Sequence, residues 1–310
     1  MINTMGIDVS VIIVNYNCEG YLPQCLKSLY KETKDIIIEV IVVDNASTDK
    51  SLDYIRKQFP QVHIIENGKN LGFGAANNVG ALVAKGNYLL LLNPDTILCN
   101  NAVKILYDNA VTAGTGIGCC GGNLLDEQLH PANIGGNFPS LFQLFSDIGF
   151  RFFYPAYYKR KVSLLSTIDN LPPGNEIQSV CGADLLIKKN VFEEMGGFDE
   201  DYFLYFEDTD LSYRLYKHGY KNYIFPDAKI MHLESAAIAD NRSEKLNLKK
   251  FKYFEHGKQL FFKKTHPKSI ILIVKFFTVL YIFTRWLAHK GNFTQYCRMM
   301  WIAIKMKQCY

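Results

Sequence analysis

The chain has 310 residues, 48% hydrophobic and 21% charged, proportions that exclude a disordered, collagenous or low-complexity polymer and leave one large or two modest globular domains. Its formal charge of +4 averages two unlike parts: residues 1–240 carry 19 basic and 28 acidic side chains, net −9, and residues 241–310 carry 15 basic and 2 acidic, net +13. An acidic body with a basic tail asks for an explanation that a uniformly basic protein would not.

In chain order, Val9–Val14 is a continuous apolar run and predicts a strand, followed by helical periodicity over Tyr21–Tyr30. Glu39–Val43, Val62–Ile65 and Tyr88–Leu92 predict further strands, separated by helices over Asp49–Phe59 and Phe73–Lys85. Unbroken Val/Ile/Leu strands that alternate with helices indicate an α/β fold whose parallel sheet is covered on both faces, with chemistry at the carboxyl ends of the strands. Three strands do end in polar signals: Asn15-Tyr16-Asn17, Asp44-Asn45-Ala46-Ser47-Thr48-Asp49 and Asn93-Pro94-Asp95-Thr96. No Gly-x-Gly-x-x-Gly follows the first strand and no Gly-Lys-Ser/Thr loop occurs, which disfavours a dinucleotide site or a P-loop.

The stretch from 119 to 176 is hard to assign. Its prolines and glycines mark loops, and the run Phe150-Arg151-Phe152-Phe153-Tyr154 with Lys159-Arg160-Lys161 fits a surface loop with buried rings slightly better than an acceptor site. Cys181-Gly182-Ala183-Asp184 leads into a strand at 185–187. A Gly196-Gly197-Phe198-Asp199-Glu200 turn and a helix opening at Tyr205–Leu211 follow, then a strand at Tyr223–Phe225 with His232 beyond it. The eight cysteines show no C-x-x-C pair and no zinc spacing, and the N-terminus has no secretory pattern, so a reducing cytoplasm is expected. Lys249–Lys264 predicts a basic helix. Ile270–Thr284 is apolar except for Lys275 and is flanked by Lys263, Lys264, Lys268, Arg285 and Lys290. A helix lying in the lipid headgroup region fits that run ahead of a packed amphipathic helix, with a full span third.

The segments VSVIIVNYN, EVIVVDNASTD, NLGFGAANNVG, LLLLNPDT and GADLLIKKNVFEEMGGFDEDYFLYFEDTDLSYRLYKHGY, in that order over about residues 8–235, resemble the inverting family 2 glycosyltransferases with the GT-A fold. The NPD form and the GGFDE…FxEDxDL block look most like the bacterial rhamnosyltransferase-type branch. The resemblance implies a Rossmann-like, mostly parallel sheet flanked by helices. It divides the chain's first 240 residues into a nucleotide-sugar half at about 8–122 and an acceptor half at about 123–240, and the charge split marks a basic, partly apolar helical tail at 241–310. It implies an enzyme that moves a sugar, with rhamnose from dTDP-rhamnose the best guess, from a dTDP- or UDP-sugar to a lipid-linked or polysaccharide acceptor in cell-surface glycan synthesis. The tail would meet an anionic membrane surface on the cytoplasmic face of the cell membrane, and no nucleic acid is involved. A non-catalytic nucleotide-sugar-binding subunit of a polysaccharide assembly complex is the alternative.

By the same resemblance, Asp44 accepts a hydrogen bond from the N3–H of a pyrimidine base, and Tyr16 offers a ring to that base or to the core. Asn15, Asn45, Gly72, Asn77, Asn93 and Asp95 complete the donor set. A divalent cation, Mn²⁺ or Mg²⁺, would be held by Asp95 and His232, since Asn93-Pro94-Asp95 has one carboxylate where the family usually has two. Asp208 is the expected catalytic base, with Glu207 and Asp184 at the acceptor. Asp210 and Arg214, four apart on a helix, predict an ordinary ion pair, and Asp49 suits a helix cap. Asn77-Asn78 stands where relatives often carry Arg-Asn.

Overall fold

In the computed structural model, which describes residues 6–172, 174–233, 248–289 and 293–305, the chain begins with four β-strands and three helices in alternation. These are β1 (Val9–Asn15), α1 (Leu22–Glu32), β2 (Ile38–Asp44), α2 (Ser51–Gln58), β3 (His63–Glu66), α3 (Phe73–Val83) and β4 (Tyr88–Leu92). The order β3-β2-β1-β4 is parallel throughout, and β1 and β4 are buried at every position. Burial on both faces is why these strands read as continuous Val/Ile/Leu runs. Helix α3 sits close to the sheet because its small residues permit it: a Cβ at Gly80 would stand 2.6 Å from Cγ2 of Ile12.

Beyond β4 come β5 (Thr96–Leu98), α4 (Ala102–Ala113), β6 (Ile117–Leu125), β7 (Gly135–Gly136), α5 (Leu141–Asp147) and α6 (Pro155–Lys161). Then follow β8 (Glu176–Ile177), β9 (Ser179–Val180), β10 (Asp184–Lys188), α7 (Lys189–Glu194), α8 (Glu207–Lys217) and β11 (Lys221–His232). Strand β10 enters antiparallel between β4 and β6, β11 runs parallel to β6, and β5 returns antiparallel along β11. The expected α/β fold is therefore present, with its parallel half at the amino end and a mixed half beyond it. Strand β6 escapes sequence reading because Gly118, Gly121, Gly122 and Asn123 interrupt its apolar run. The expected strand at 223–225 extends to His232, which is its last residue rather than a residue beyond it. Cys119 and Cys120 are buried in β6, and burial pushes the thiol of Cys119 up to about 12, so the pair is packing.

The C-terminal part folds as α9 (Leu248–Thr265), α10 (Ile270–His289) and α11 (Phe293–Lys305). The boundary expected at 240 lies outside the described residues. The composition change there does not separate α9 from the body of the fold. Leu260 and Phe261 of α9 share one apolar cluster with Tyr202 and Phe206, and Lys264 pairs with Asp199 and Asp201. Burying a Phe or Leu side chain contributes roughly 1.5–3 kcal/mol, so this contact is structural. Helix α10 buries Ile270, Val274, Thr278 and Ile282, one residue per turn, and exposes Leu272, Phe276 and Leu287. Beneath it a buried ion pair, Lys258–Glu255 at 2.5 Å, is completed by a Lys258–Thr278 hydrogen bond at 2.9 Å. Among the described residues, one helix, Ile270–Ala288, is long and apolar enough to cross a membrane by length and composition.

Residues 150–153 form a turn of 3₁₀-helix that leads into α6. The rings at its tip are not buried as expected: Phe152 is 76% and Phe153 83% exposed.

Candidate active site

The polar strand ends meet at one edge of the sheet. Asp44 closes β2 with each carboxylate oxygen holding one bond: Oδ1 accepts from Asn15 Nδ2 at 2.7 Å and Oδ2 from the Ser47 amide at 2.9 Å. Asn15 is completely buried and also donates to Ser47 and Ser51. It therefore orients Asp44 and the loop after β2 rather than facing the cleft as a donor-binding side chain. Tyr16, one residue on, is 38% exposed rather than in the core. Asp49 sits one residue ahead of the cap position of α2 and accepts from the Ser51 amide at 3.1 Å, close to its expected capping role.

Asn45 is likewise buried, donating to the Gly72 carbonyl and accepting from Asn67, so it ties the end of β2 to the loop before α3. Gly72 has φ +89° and lies against Phe203: a Cβ there would collide with the Phe203 carbonyl oxygen. The glycine is required by this protein contact, not by an approach to nucleotide. Asn77 is buried within α3 and donates back to the Phe73 carbonyl, the role of an interior helix polar group rather than a donor contact. Its neighbour Asn78 bonds both the amide and the carbonyl of Phe198, which pins the glycine turn to α3.

Across the cleft, the antiparallel pairing of β5 with β11 sets His232 opposite Thr96. His232 Nε2 comes to 3.4 Å from Asp95 Oδ1 and 3.2 Å from Asn93 Nδ2. The Asn93-Pro94-Asp95 turn is tied down by Thr96 Oγ1 donating to the Asn93 carbonyl at 2.7 Å. Asp95 and His232 were expected together and are together. Adjacent ligands about 2.1 Å from one octahedral ion stand roughly 3 Å apart, so a carboxylate oxygen and an imidazole nitrogen at this separation suit a shared divalent cation. Among the described residues no group of three or more His, Cys, Asp and Glu that could hold a metal ion stands together.

Asp208 lies in the first turn of α8. Its Oδ2 accepts from the Gly182 amide at 2.9 Å, and its Oδ1 accepts from the Thr209 amide at 2.6 Å. The next residue, Ala183, accepts at its carbonyl from the Asn93 amide at 2.9 Å. Two consecutive residues thus tie Asp208 to the Asn-Pro-Asp turn. Burial pushes the Asp208 carboxyl above the ordinary range, and the bonds from Gly182 and Thr209 oppose that rise. The residues before the helix, Tyr205 and Phe206, have φ +69° and +74°. Paired left-handed non-glycine residues of this kind, here just ahead of Asp208, are held only because the surrounding structure holds them.

Two residues expected at the acceptor are buried. Glu207 is buried, with Oε2 unpartnered, and burial together with the charge of Asp208 raises its pKa well above the usual value. Asp184 is 1% exposed inside the sheet, where Oδ2 accepts from the Gly122 amide, and burial pushes it up to about 6. Both carboxylates are buried in packed structure. Asp210 and Arg214 form the expected pair at 2.8 Å, and Arg214 also donates to the carbonyls of Met195 and Gly197, locking α8 to the glycine turn.

Sequence reading missed Asp126, Glu127 and Gln128. They line an open cleft of about 290 Å³ together with His232 and Leu233. The signal was available in principle: β6, like β2 and β4, runs into an aspartate, but its glycines hide the strand. A larger groove of about 390 Å³, between Lys159–Arg160 and Asp169–Leu171, touches none of the site residues.

A family model described as Glycosyl transferase family 2 matches residues 10–164. The chain is 28% identical over 237 residues to the N-acetylglucosaminyl-diphospho-decaprenol L-rhamnosyltransferase of Mycobacterium tuberculosis, covering 72% of this chain and 75% of that one. It is 27% identical over 215 residues to the low-salt glycan biosynthesis hexosyltransferase Agl10 of Haloferax volcanii, covering 68% and 62%. The crystal structure of GalNAc-T7 with UDP, GalNAc and Mn²⁺ superposes with a TM-score of 0.60 at 17% identity, covering 96% of this chain and 57% of that one. The strand-end carboxylates, the GT-A architecture and a family match over half of the chain converge, and the protein is a glycosyltransferase of family 2.

Proposed function

We propose that the protein is an inverting, metal-dependent glycosyltransferase that moves a sugar from a nucleotide diphosphate donor to a lipid-linked or polysaccharide acceptor, with dTDP-rhamnose the first donor to try. The observation that carries this reading is the linkage of Asp208 through Gly182 and Ala183 to the Asn93-Pro94-Asp95 turn, which sets a proton acceptor beside a candidate diphosphate site. The rhamnosyltransferase relative supports the donor and the lipid-linked acceptor, and the Mn²⁺ and UDP of the GalNAc-T7 structure support the cation and nucleotide.

In this reading the acceptor oxygen attacks the anomeric carbon as the bond to the diphosphate breaks, and Asp208 takes the acceptor proton. One displacement inverts the anomeric centre. Asp95 and His232 would hold a divalent cation, which when bound offsets the charge of the departing diphosphate. Asp44 remains able to accept from a pyrimidine N3–H beside its two existing bonds, and Tyr16 lies against the base. Helices α10 and α11, with the basic C-terminal part from 241, would seat the enzyme on the cytoplasmic face of the membrane, α10 lying in the headgroup region.

The experiment is nucleotide release from a panel of dTDP- and UDP-sugars with Mn²⁺ or Mg²⁺, with and without a polyprenyl-diphosphate-linked sugar, followed by NMR of the product anomer. Release that depends on acceptor, with inverted product, supports the reading. Nucleotide binding by calorimetry without turnover on any donor overturns it.

A further inference from the structure

We propose that the aromatic hairpin Phe150–Lys161 is a second membrane-seating element that acts with α10, so that this protein meets anionic lipid through two parts of the chain more than 100 residues apart. The proposal rests on the membrane reading of α10 given above and extends it to a segment outside the basic tail.

The hairpin is built to hold exposed rings firmly. Phe145 stacks on Phe150 with ring centroids 4.1 Å apart, and Phe142 stacks on Tyr154 at 5.7 Å. Ser146 bonds Tyr154 at 3.0 Å, and the Tyr158 hydroxyl donates to Asp147. On this rigid base the tip is left in solvent: Phe152 is 76%, Phe153 83% and Tyr157 58% exposed. Adjacent phenylalanines so exposed forfeit burial that a core would supply, and contiguous exposed apolar surface marks an interaction site.

Position and charge name the partner. Helix α5, at the foot of the hairpin, packs Leu144 against Ile270 and Val274 of α10, which sets the hairpin beside the amino-terminal half of that helix. There α10 exposes Leu272, Ile273 and Phe276 on the side opposite its packing face. The tip is followed by Lys159, Arg160 and Lys161, all exposed and none ion-paired among the described residues. Exposed Lys268 and Arg285 flank the apolar run of α10. Apolar rings set beside unpaired cations match an anionic bilayer surface, where rings enter the acyl boundary and cations meet headgroups. A second copy of the chain fits less well, since a two-fold interface would set these cations against their own copies.

The test is sedimentation of the full chain with phosphatidylglycerol/phosphatidylcholine vesicles. It compares wild type, the double variant Phe152→Asp/Phe153→Asp, and Leu82→Asp on α3 as a charge control at an equally exposed site. Wild type and L82D should pellet alike. The double variant should partition at least about tenfold more weakly with its melting temperature unchanged. Wild type and double variant pelleting equally would overturn the hairpin while leaving α10 as the seat. Wild type failing to pellet at all would overturn the membrane reading and this extension together. A concentration-dependent dimer that the double variant dissolves, with vesicle binding unchanged, would overturn it in favour of a second copy.

Discussion

Gly257 of α9 lies so close to Tyr205 that a Cβ at 257 would stand 2.6 Å from the Tyr205 carbonyl oxygen and 3.0 Å from Phe206. Tyr205 and Phe206 are the left-handed pair immediately ahead of Glu207 and Asp208. A helix of the basic tail thus braces the turn that aims the proposed base. Gly257→Ala should lower kcat by about tenfold or more with little change in donor KM, because the turn must shift while the nucleotide side of the cleft does not. Steady-state kinetics with the donor varied checks this, and unchanged kcat would show that the turn absorbs the methyl group.

Asp208→Asn should reduce turnover by about 10²–10⁴-fold and leave donor binding intact, since general-base assistance is worth that much. Burial raises the Asp208 pKa, so the acid limb of the pH–rate profile should fall above the ordinary Asp value of about 3.9. Activity is present where the carboxylate is ionised and is lost as pH drops through the raised value. A profile flat down to pH 4 would contradict the assignment.

Glu207 gives a stability test with the opposite slope. Its folded-state pKa is raised, by burial and then by Asp208, so the folded form keeps a proton that the unfolded chain releases near 4.3. That contribution is complete below the unfolded pKa and is lost as pH rises through the folded one, at most about 1.4 kcal/mol per pH unit. Glu207→Gln should therefore gain stability relative to wild type as pH rises from 5 to 8. Urea melts at several pH values measure this, and a constant difference would show that the glutamate titrates normally.

Chelation with EDTA should abolish nucleotide release, and Mn²⁺ should restore it. His232→Ala, which removes one of the two proposed ligands, should raise the Mn²⁺ concentration for half activation at least about tenfold. Metal titration of the two proteins compares them directly. Equal half-activation would remove His232 from the cation site.

Gly72→Ala tests the fold rather than the chemistry. It combines a φ of +89° with a collision against the Phe203 carbonyl, so it should cost about 2 kcal/mol or more. Thermal melts check this, and an unchanged midpoint would mean that the Phe203 loop moves freely.

The amino-terminal half was readable because its strands are buried on both faces and stay apolar along their whole length. β1 and β4 were bounded to within a residue by that property alone. Beyond β5, β10, α8 and α9 were still legible, but the signal failed at several elements for identifiable reasons. Glycines break β6, and the 150–161 hairpin exposes rings that composition would bury. Strand β11 also carries Pro226 and Asp227 within an irregular register.

By itself the sequence determined which residue types close each strand: Asn15, Asp44 and Asp95 were in view because an apolar strand that stops at a polar residue is a local pattern. It could not say which of those side chains face the cleft. Asn15 and Asp184 turn out to serve buried backbone and side-chain partners, and Glu207 is buried without a partner for Oε2. Tertiary structure decided this, together with every long-range meeting in the site. His232 reaches Asp95 only because β11 pairs with β5, Asp208 reaches the Asn93 turn only through Gly182 and Ala183, and Gly257 reaches Tyr205 only because α9 folds back. Side-chain direction along a strand follows a period of two that local sequence displays when one face is wet. In a sheet covered on both sides that contrast disappears, and only packing shows which way each residue points.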